Sequence, residues 1–162
     1  MSTDRIEKTI LLHAPMARVW KALSDSTQFG EWFGMKFDGP FQPGTVVNGK
    51  LVGTTVDPEV AKSQVKHAHL PFEILIEEMI PEKRFSMRWH PFALDLNVDY
   101  SKEPRTLVSF DLEQKADGVL LTVTESGFDQ IPIERRAKAF TANDNGWGLM
   151  VTMIGKYLDA RA

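Results

Sequence analysis

Residues 133–158, "IERRAKAFTANDNGWGLMVTMIGKYL", set the terms on which the rest of the chain must fold. At about 100° per residue, Phe140, Trp147, Val151, Ile154 and Leu158 fall on one stripe, and Lys138, Asn145, Leu149 and Lys156 fall opposite. The spacing predicts one amphipathic helix, about 40 Å long at a rise of roughly 1.5 Å per residue. Its middle, "NDNGWGLM" (143–150), puts a glycine on each side of Trp147, although a glycine inside a helix costs about 1 kcal/mol relative to alanine. Gly148 and Gly155 lie on one flank of the stripe, beside Ala137 and Thr141. Gly146 lies on the other, near Ala139, Met150 and Met153. Two readings stay open: close packing of helix on sheet, or space left unfilled with Trp147 in the wall of a cavity.

The apolar stripe needs a partner, and the preceding sequence supplies strands. "FEILIEEMIPEKRFSMRWHPF" (72–92) reads as a hairpin turning at Pro81-Glu82-Lys83. In its second arm Phe85, Met87 and Trp89 face one way, and Arg84, Ser86, Arg88 and His90 the other. "RTLVSFDLEQKADGVLLTVTESGF" (105–128) is a second hairpin, turning near Asp117-Gly118. Val108, Phe110 and Leu112 share a face in it, as do Val119, Leu121 and Val123, and Glu125 continues that inward parity. A buried carboxylate is costly unless paired or wetted. Asn143 and Asp144 flank the helix stripe one turn before Trp147, so these three polar residues either meet solvent at the edge of the core or orient a ligand within it.

Towards the N-terminus, "RIEKTILLH" (5–13) reads as a strand. "APMARVWKAL" (14–23) takes helical spacing, with Pro15 suited to a first turn. "SDSTQFGEWF" (24–33) reads as a second short helix, capped by Ser24 or Asp25 and interrupted by Gly30. "MKFDGPF" and "GTVVNGKLVG" follow as strands, separated by the turn signals Pro40, Pro43 and Gly44. Residues 55–71 are the least patterned stretch, a long loop or short helix, and a candidate mouth or lid. The order is strand, two short helices, about six antiparallel strands and a long helix, which is α+β.

Bulk properties narrow the function. The chain has 162 residues, enough for one domain over 1–162, and 19 basic against 22 acidic residues give a net charge of −3. No basic run points to nucleic acid or anionic lipid. Cysteine is absent, which excludes disulfides, thiolate metal sites and cysteine nucleophiles. The N-terminal "MSTDRIEKTI" is not expected to act as a signal peptide, and no apolar run approaches the ~20 residues needed to span a bilayer. A cytoplasmic location is expected. His67-x-His69 offers two metal ligands with no third indicated, and His13 and His90 are isolated. No nucleophile elbow, phosphate loop or dinucleotide glycine pattern occurs, so no metal and no cofactor are expected.

Taken in order, "ILLHAPMARVWKALSDSTQFGEWF", "MIPEKRFSMRWHP", "TLVSFDL", "GVLLTVTESGFD" and "NDNGWGLMVTMIGKYLDA" resemble landmarks of the START-like superfamily, also called the SRPBCC or birch-pollen-allergen-like fold. Within it, the chain resembles the branch called activator of heat-shock protein 90 ATPase homologue-like. The resemblance runs from about residue 5 to residue 160. The pattern A-P-x-x-x-V-W-x-A-L and a late G-W inside a helix carry it together. It implies a helix-grip fold, a curved antiparallel sheet of about seven strands wrapping the long C-terminal helix, with an internal cavity for a hydrophobic or amphipathic ligand. It implies little chemistry, because the superfamily includes lipid carriers, aromatic cyclases, hormone receptors and proteins of unknown role.

The leading expectation is binding of a small hydrophobic or amphipathic molecule, lipid- or polyketide-like, between sheet and helix. Trp32, Met35, Phe37, Phe85, Met87, Trp89, Trp147 and Met150 would supply the wall, with Val151 and Ile154 from the helix stripe and Glu125, Asn143 and Asp144 as polar groups. One alternative is a cyclase- or hydrolase-like enzyme using Glu125 or Asp144 as acid or base. The other is an interaction module with a chaperone partner, though the eukaryotic activator owes much of its action to an additional N-terminal domain. A homodimer through strand edges or the last helix stays open.

Overall fold

The computed structural model describes residues 5–68, 70–95 and 97–160. Strand β1 (Ile6–Leu12) leads into helices α1 (Met16–Ser24) and α2 (Ser26–Phe33), which carry the chain to β2 (Met35–Phe37) and β3 (Val46–Leu51). Helix α3 (Pro58–Val65) precedes β4 (Pro71–Ile80), β5 (Arg84–Trp89), β6 (Thr106–Lys115) and β7 (Gly118–Ser126). The long helix α4 (Ile133–Ala160) follows. The strands form one curved antiparallel sheet in the order β1-β7-β6-β5-β4-β3-β2. Because β1 and β2 are its opposite edges, α1 and α2 must cross the mouth of the sheet. Helix α4 packs along β1 and touches both. This is the α+β helix-grip fold.

Local chemistry explains the boundaries. Asp25, rather than Ser24, caps α2, accepting hydrogen bonds from the Thr27 and Gln28 amides. Gly34 ends α2 in the left-handed region (φ 95), which glycine enters without strain. Gly30 does not interrupt the helix: a Cβ there would sit 2.1 Å from the Met35 carbonyl oxygen, so it permits the close return of β2. The stretch 55–71 contains a formed helix, α3, capped by Asp57 through the Glu59 and Val60 amides. The strand expected from "MKFDGPF" is only Met35–Phe37.

The core sits between the sheet and the helices. Phe29 lies within 6.0 Å of the rings of Trp32, Phe33, Phe37, Phe41, Phe85 and Phe110. Val108, Leu121 and Val123 join them from β6 and β7, and Met153 and Ile154 from α4, all buried. Burying such side chains is worth about 1.5–3 kcal/mol each before entropy is counted. This end of the helix–sheet interior is therefore filled by protein.

Candidate functional site

Glu125, on β7, is fully buried and accepts four donors. Strand pairing places Trp89 opposite Thr106, and Val108 opposite Glu125, so all three polar or indole side chains turn to the same face of the sheet. Trp89 Nε1 and Thr106 Oγ1 donate to Oε2 at 2.8 and 2.6 Å. From α4, Trp147 Nε1 donates to Oε1 at 2.8 Å, and Asn143 Nδ2 lies 2.9 and 3.1 Å from the two oxygens. Asn143 and Trp147 are four residues apart, the spacing that puts two side chains on one helix face. No cation pairs with Glu125 among the described residues. Its burial is offset by these four donors, each strengthened by a charged acceptor.

A cleft of about 450 Å³ opens beside this cluster. Trp147, Asn143, Ala142, Gly146 and Met150 line it from α4, Trp89 and Leu51 from the sheet, and Phe33 from the end of α2. Ser63 and Gln64 of α3, with His67 just after it, form the rim. Trp89 and Trp147 stack with centroids 5.7 Å apart, and Phe33 lies 5.9 and 5.8 Å from them. A Cβ added at Gly146 would meet nothing within 4 Å. Gly146 is thus not a close-packing glycine; its missing side chain keeps the cleft open. A Cβ at Gly148 would meet only the Lys8 side chain, with Cε at 4.0 Å, whereas one at Gly155 would come into van der Waals contact with Ile10 at 3.5 Å.

The rim is fixed by one side chain. Gln64 Nε2 donates to the Phe33 carbonyl at 2.7 Å, and its Oε1 accepts from the Thr54 amide at 2.8 Å. A Cβ on Gly34 would strike this amide, so the glycine that ends α2 also makes room for the residue that holds α3. Lys156 Nζ reaches Asp57 Oδ2 at 2.7 Å and ties the start of α3 to α4. That contact is the main reason the Asp57 carboxyl is held below the usual aspartate value of 3.8.

Of the residues expected at the wall, the structure brings Trp89, Asn143, Trp147 and Met150 to the cleft, with Glu125 directly behind its indoles. Trp32, Met35, Phe37, Phe85, Met87, Val151 and Ile154 lie in or against the core instead. Trp32, for example, spends its indole N–H on the Ala22 carbonyl. Asp144 lies outside the cleft and pairs with Lys8 at 3.1 Å. Sequence reading missed Phe33, Leu51, Ser63, Gln64, His67 and Ala142. The only available signal was the aromatic run "QFGEWF", because the rim is brought in by contacts between distant segments. His69 lies outside the described residues; among those described, no group of three or more His, Asp or Glu is placed to hold a metal ion.

A second recess, about 310 Å³, forms where β4 meets residues 90–101. Burial, reinforced by the Arg105 charge, pushes the His90 imidazole below its ordinary value of 6.5. Arg105 itself pairs with Glu73 at 2.6 Å. Arg135 secures the same segment, donating to Glu103 and the Pro91 carbonyl and lying 4.8 Å over the Tyr100 ring.

A family model described as "Activator of Hsp90 ATPase homolog 1-like protein" matches residues 13–159. The chain belongs to this family. Among solved structures, it is similar to protein MLL2253 from Mesorhizobium loti, at 21% identity over 98% of each chain, with a TM-score of 0.70. It is also similar to the Aha1 dimer from Colwellia psychrerythraea, at 15% identity over 95% of each chain, with a TM-score of 0.67. A third similar structure is DynU16, from the dynemicin biosynthetic locus, at 22% identity with a TM-score of 0.68. That match covers 96% of this chain and 47% of DynU16, so the chain spans about half the length of that protein. At these identities the likeness is one of fold. No curated protein matches the chain. Among the described residues no helix is long and apolar enough to cross a membrane.

Proposed function

We propose that this member of the Activator of Hsp90 ATPase homolog 1-like family binds a small, largely apolar molecule in the cleft between α4, α3 and β5. The observation that carries the proposal is the open space over Gly146, beside the indoles of Trp89 and Trp147. A volume of about 450 Å³ falls within the roughly 300–1,000 Å³ of small-molecule sites, and an apolar wall with a few polar groups at the rim is their usual composition. Met150 suits such a wall because an unbranched thioether repacks around different shapes.

Catalysis by either candidate carboxylate is disfavoured by its surroundings. Glu125 has about four lone-pair positions, and four donors occupy them, which leaves no free position to take a proton from a substrate. Asp144 is turned to Lys8, outside the cleft. Binding without turnover is the simpler use of the site.

Native mass spectrometry of the protein purified from its own host tests this. The expected result is a retained small molecule, lost in a Gly146→Leu variant whose side chain fills the cleft. An adduct that survives Gly146→Leu in a protein shown to be folded would place the ligand elsewhere and overturn the proposal.

A further inference from the structure

We infer that the cleft selects a molecule carrying a protonated amine on an apolar body, an inference that rests on the cleft being a ligand site at all. Glu125 sets this preference. Its two oxygens each receive an indole N–H, a group that can only donate. Asn143 therefore turns its amide nitrogen to the same carboxylate, 2.9 Å from Oε1. An amide so committed presents its carbonyl on the opposite side, and Asn143 lines the cleft. The polar handle offered to a ligand is the acceptor Oδ1. Ser63 points the same way: its hydroxyl hydrogen goes to the Val60 carbonyl at 2.7 Å, leaving its oxygen to accept.

Charge adds to this. Glu125 lies immediately behind the Trp89 and Trp147 indoles, and among the described residues no cation offsets it. No Lys or Arg is among the described residues lining the cleft; His67 is the one titratable group there, and the nearest ion pair on α3, Lys156 with Asp57, is self-neutralising. Aromatic rings attract cations through their electron-rich faces, and indole does so best. A carboxylate accepting both indole N–H groups pushes electron density into the rings, and its own field has the same sign. A carboxylate ligand would meet repulsion and no donor pair; an ammonium would meet an acceptor, two indoles and a buried negative charge.

Three probes of nearly equal shape separate the possibilities: phenylbutylamine, pentylbenzene, in which a methyl replaces the ammonium, and phenylbutyrate. Each is titrated into the ¹⁵N-labelled wild-type protein at neutral pH, following the indole N–H signals of Trp89 and Trp147. The expected order is amine, hydrocarbon, carboxylate, with the amine about tenfold tighter than the hydrocarbon, as one charge-assisted hydrogen bond would give. Binding of the hydrocarbon or carboxylate as tight as or tighter than the amine overturns the charge inference and leaves the cleft a ligand site. Failure of all three to move either signal overturns both readings.

Discussion

Trp147 and Trp89 approach the Glu125 carboxylate from opposite sides of the fold, one from α4 and one from β5, and each donates its indole N–H at 2.8 Å to a different oxygen. The bond from Trp147, together with that from Asn143, crosses from helix to sheet; those from Trp89 and Thr106 run between strands. One carboxylate thus joins three strands and the helix at the point where the interior changes from packed core to open cleft. Apolar packing alone would fix the helix less specifically, since a hydrophobic stripe tolerates small rotations that the directed hydrogen bonds from Trp147 and Asn143 do not.

Replacing Glu125 tests that arrangement. Glu125→Leu would leave the buried Trp147 indole and Thr106 hydroxyl without their acceptor, at about 1–3 kcal/mol for each, and would also strip the part-buried Trp89 indole and Asn143 amide of theirs at a smaller cost. We expect a loss of at least about 4 kcal/mol in urea denaturation, with Glu125→Gln losing roughly half of that, because the amide keeps one accepting oxygen but aims its NH₂ at an indole donor. A loss below about 1 kcal/mol for Glu125→Leu would show that these hydrogen bonds do not hold the helix.

Gln64 is the second control point. Helix α3 has no fully buried residue; beyond half-buried Val60 against the core, its position rests on the two backbone contacts of Gln64 and on the Asp57–Lys156 pair. Gln64→Ala is expected to cost about 2 kcal/mol locally, at about 1 kcal/mol for each lost hydrogen bond. Amide exchange over residues 58–65 should accelerate more than tenfold while β6 and β7 keep their protection. Uniform acceleration across the chain would mean that α3 is not an independent rim.

His90 gives a pH dependence. Its folded value is depressed below 6.5 by burial and by Arg105, so protonation favours the unfolded chain. The stability this group contributes is complete above about 6.5 and is lost as pH falls through that value toward the lower folded one. The urea midpoint should fall between pH 7.5 and pH 5.5, and His90→Asn should flatten that part of the profile. An identical slope in the variant would assign the dependence to other groups.

The fold was legible because period and parity are local properties. Phe85, Met87 and Trp89 alternate in their strand, and Trp147, Val151 and Ile154 recur along the helix whatever surrounds them. The same parity put Glu125 inward, where the structure buries it. The cleft was less legible because its wall is made by meetings of distant segments: Gln64 reaches Phe33, and Leu51 comes to α4 across the sheet. An aromatic at an inward position reads the same whether it faces protein or space. Trp32, Phe85 and Met87 therefore could not be told from Trp89 and Met150 without coordinates. Asp144 misled for a related reason, since a residue at the flank of a stripe turns in or out according to a partner, here Lys8, that periodicity does not reveal.

Three of the helical glycines, Gly30, Gly146 and Gly148, offer the sharpest test, because one substitution has three expected outcomes. Gly148→Ala adds a methyl to nearly open space and should stabilise the protein by about 0.5–1 kcal/mol through helix propensity alone. Gly146→Ala should give the same gain, since nothing lies within 4 Å of the new Cβ. It should also weaken binding of any cleft ligand, whereas Gly148→Ala should leave binding unchanged, because Gly148 lies toward Lys8 and not in the cleft. Gly30→Ala should reverse the sign of the stability change, losing about 3 kcal/mol as its Cβ is driven into the Met35 carbonyl. Thermal and urea denaturation measure the three stabilities, and the indole titration measures the two affinities. A Gly146→Ala protein that is more stable and binds as tightly as wild type would mean that the space over Gly146 serves no ligand; one that is less stable would mean that α4 packs more closely there than the structure shows.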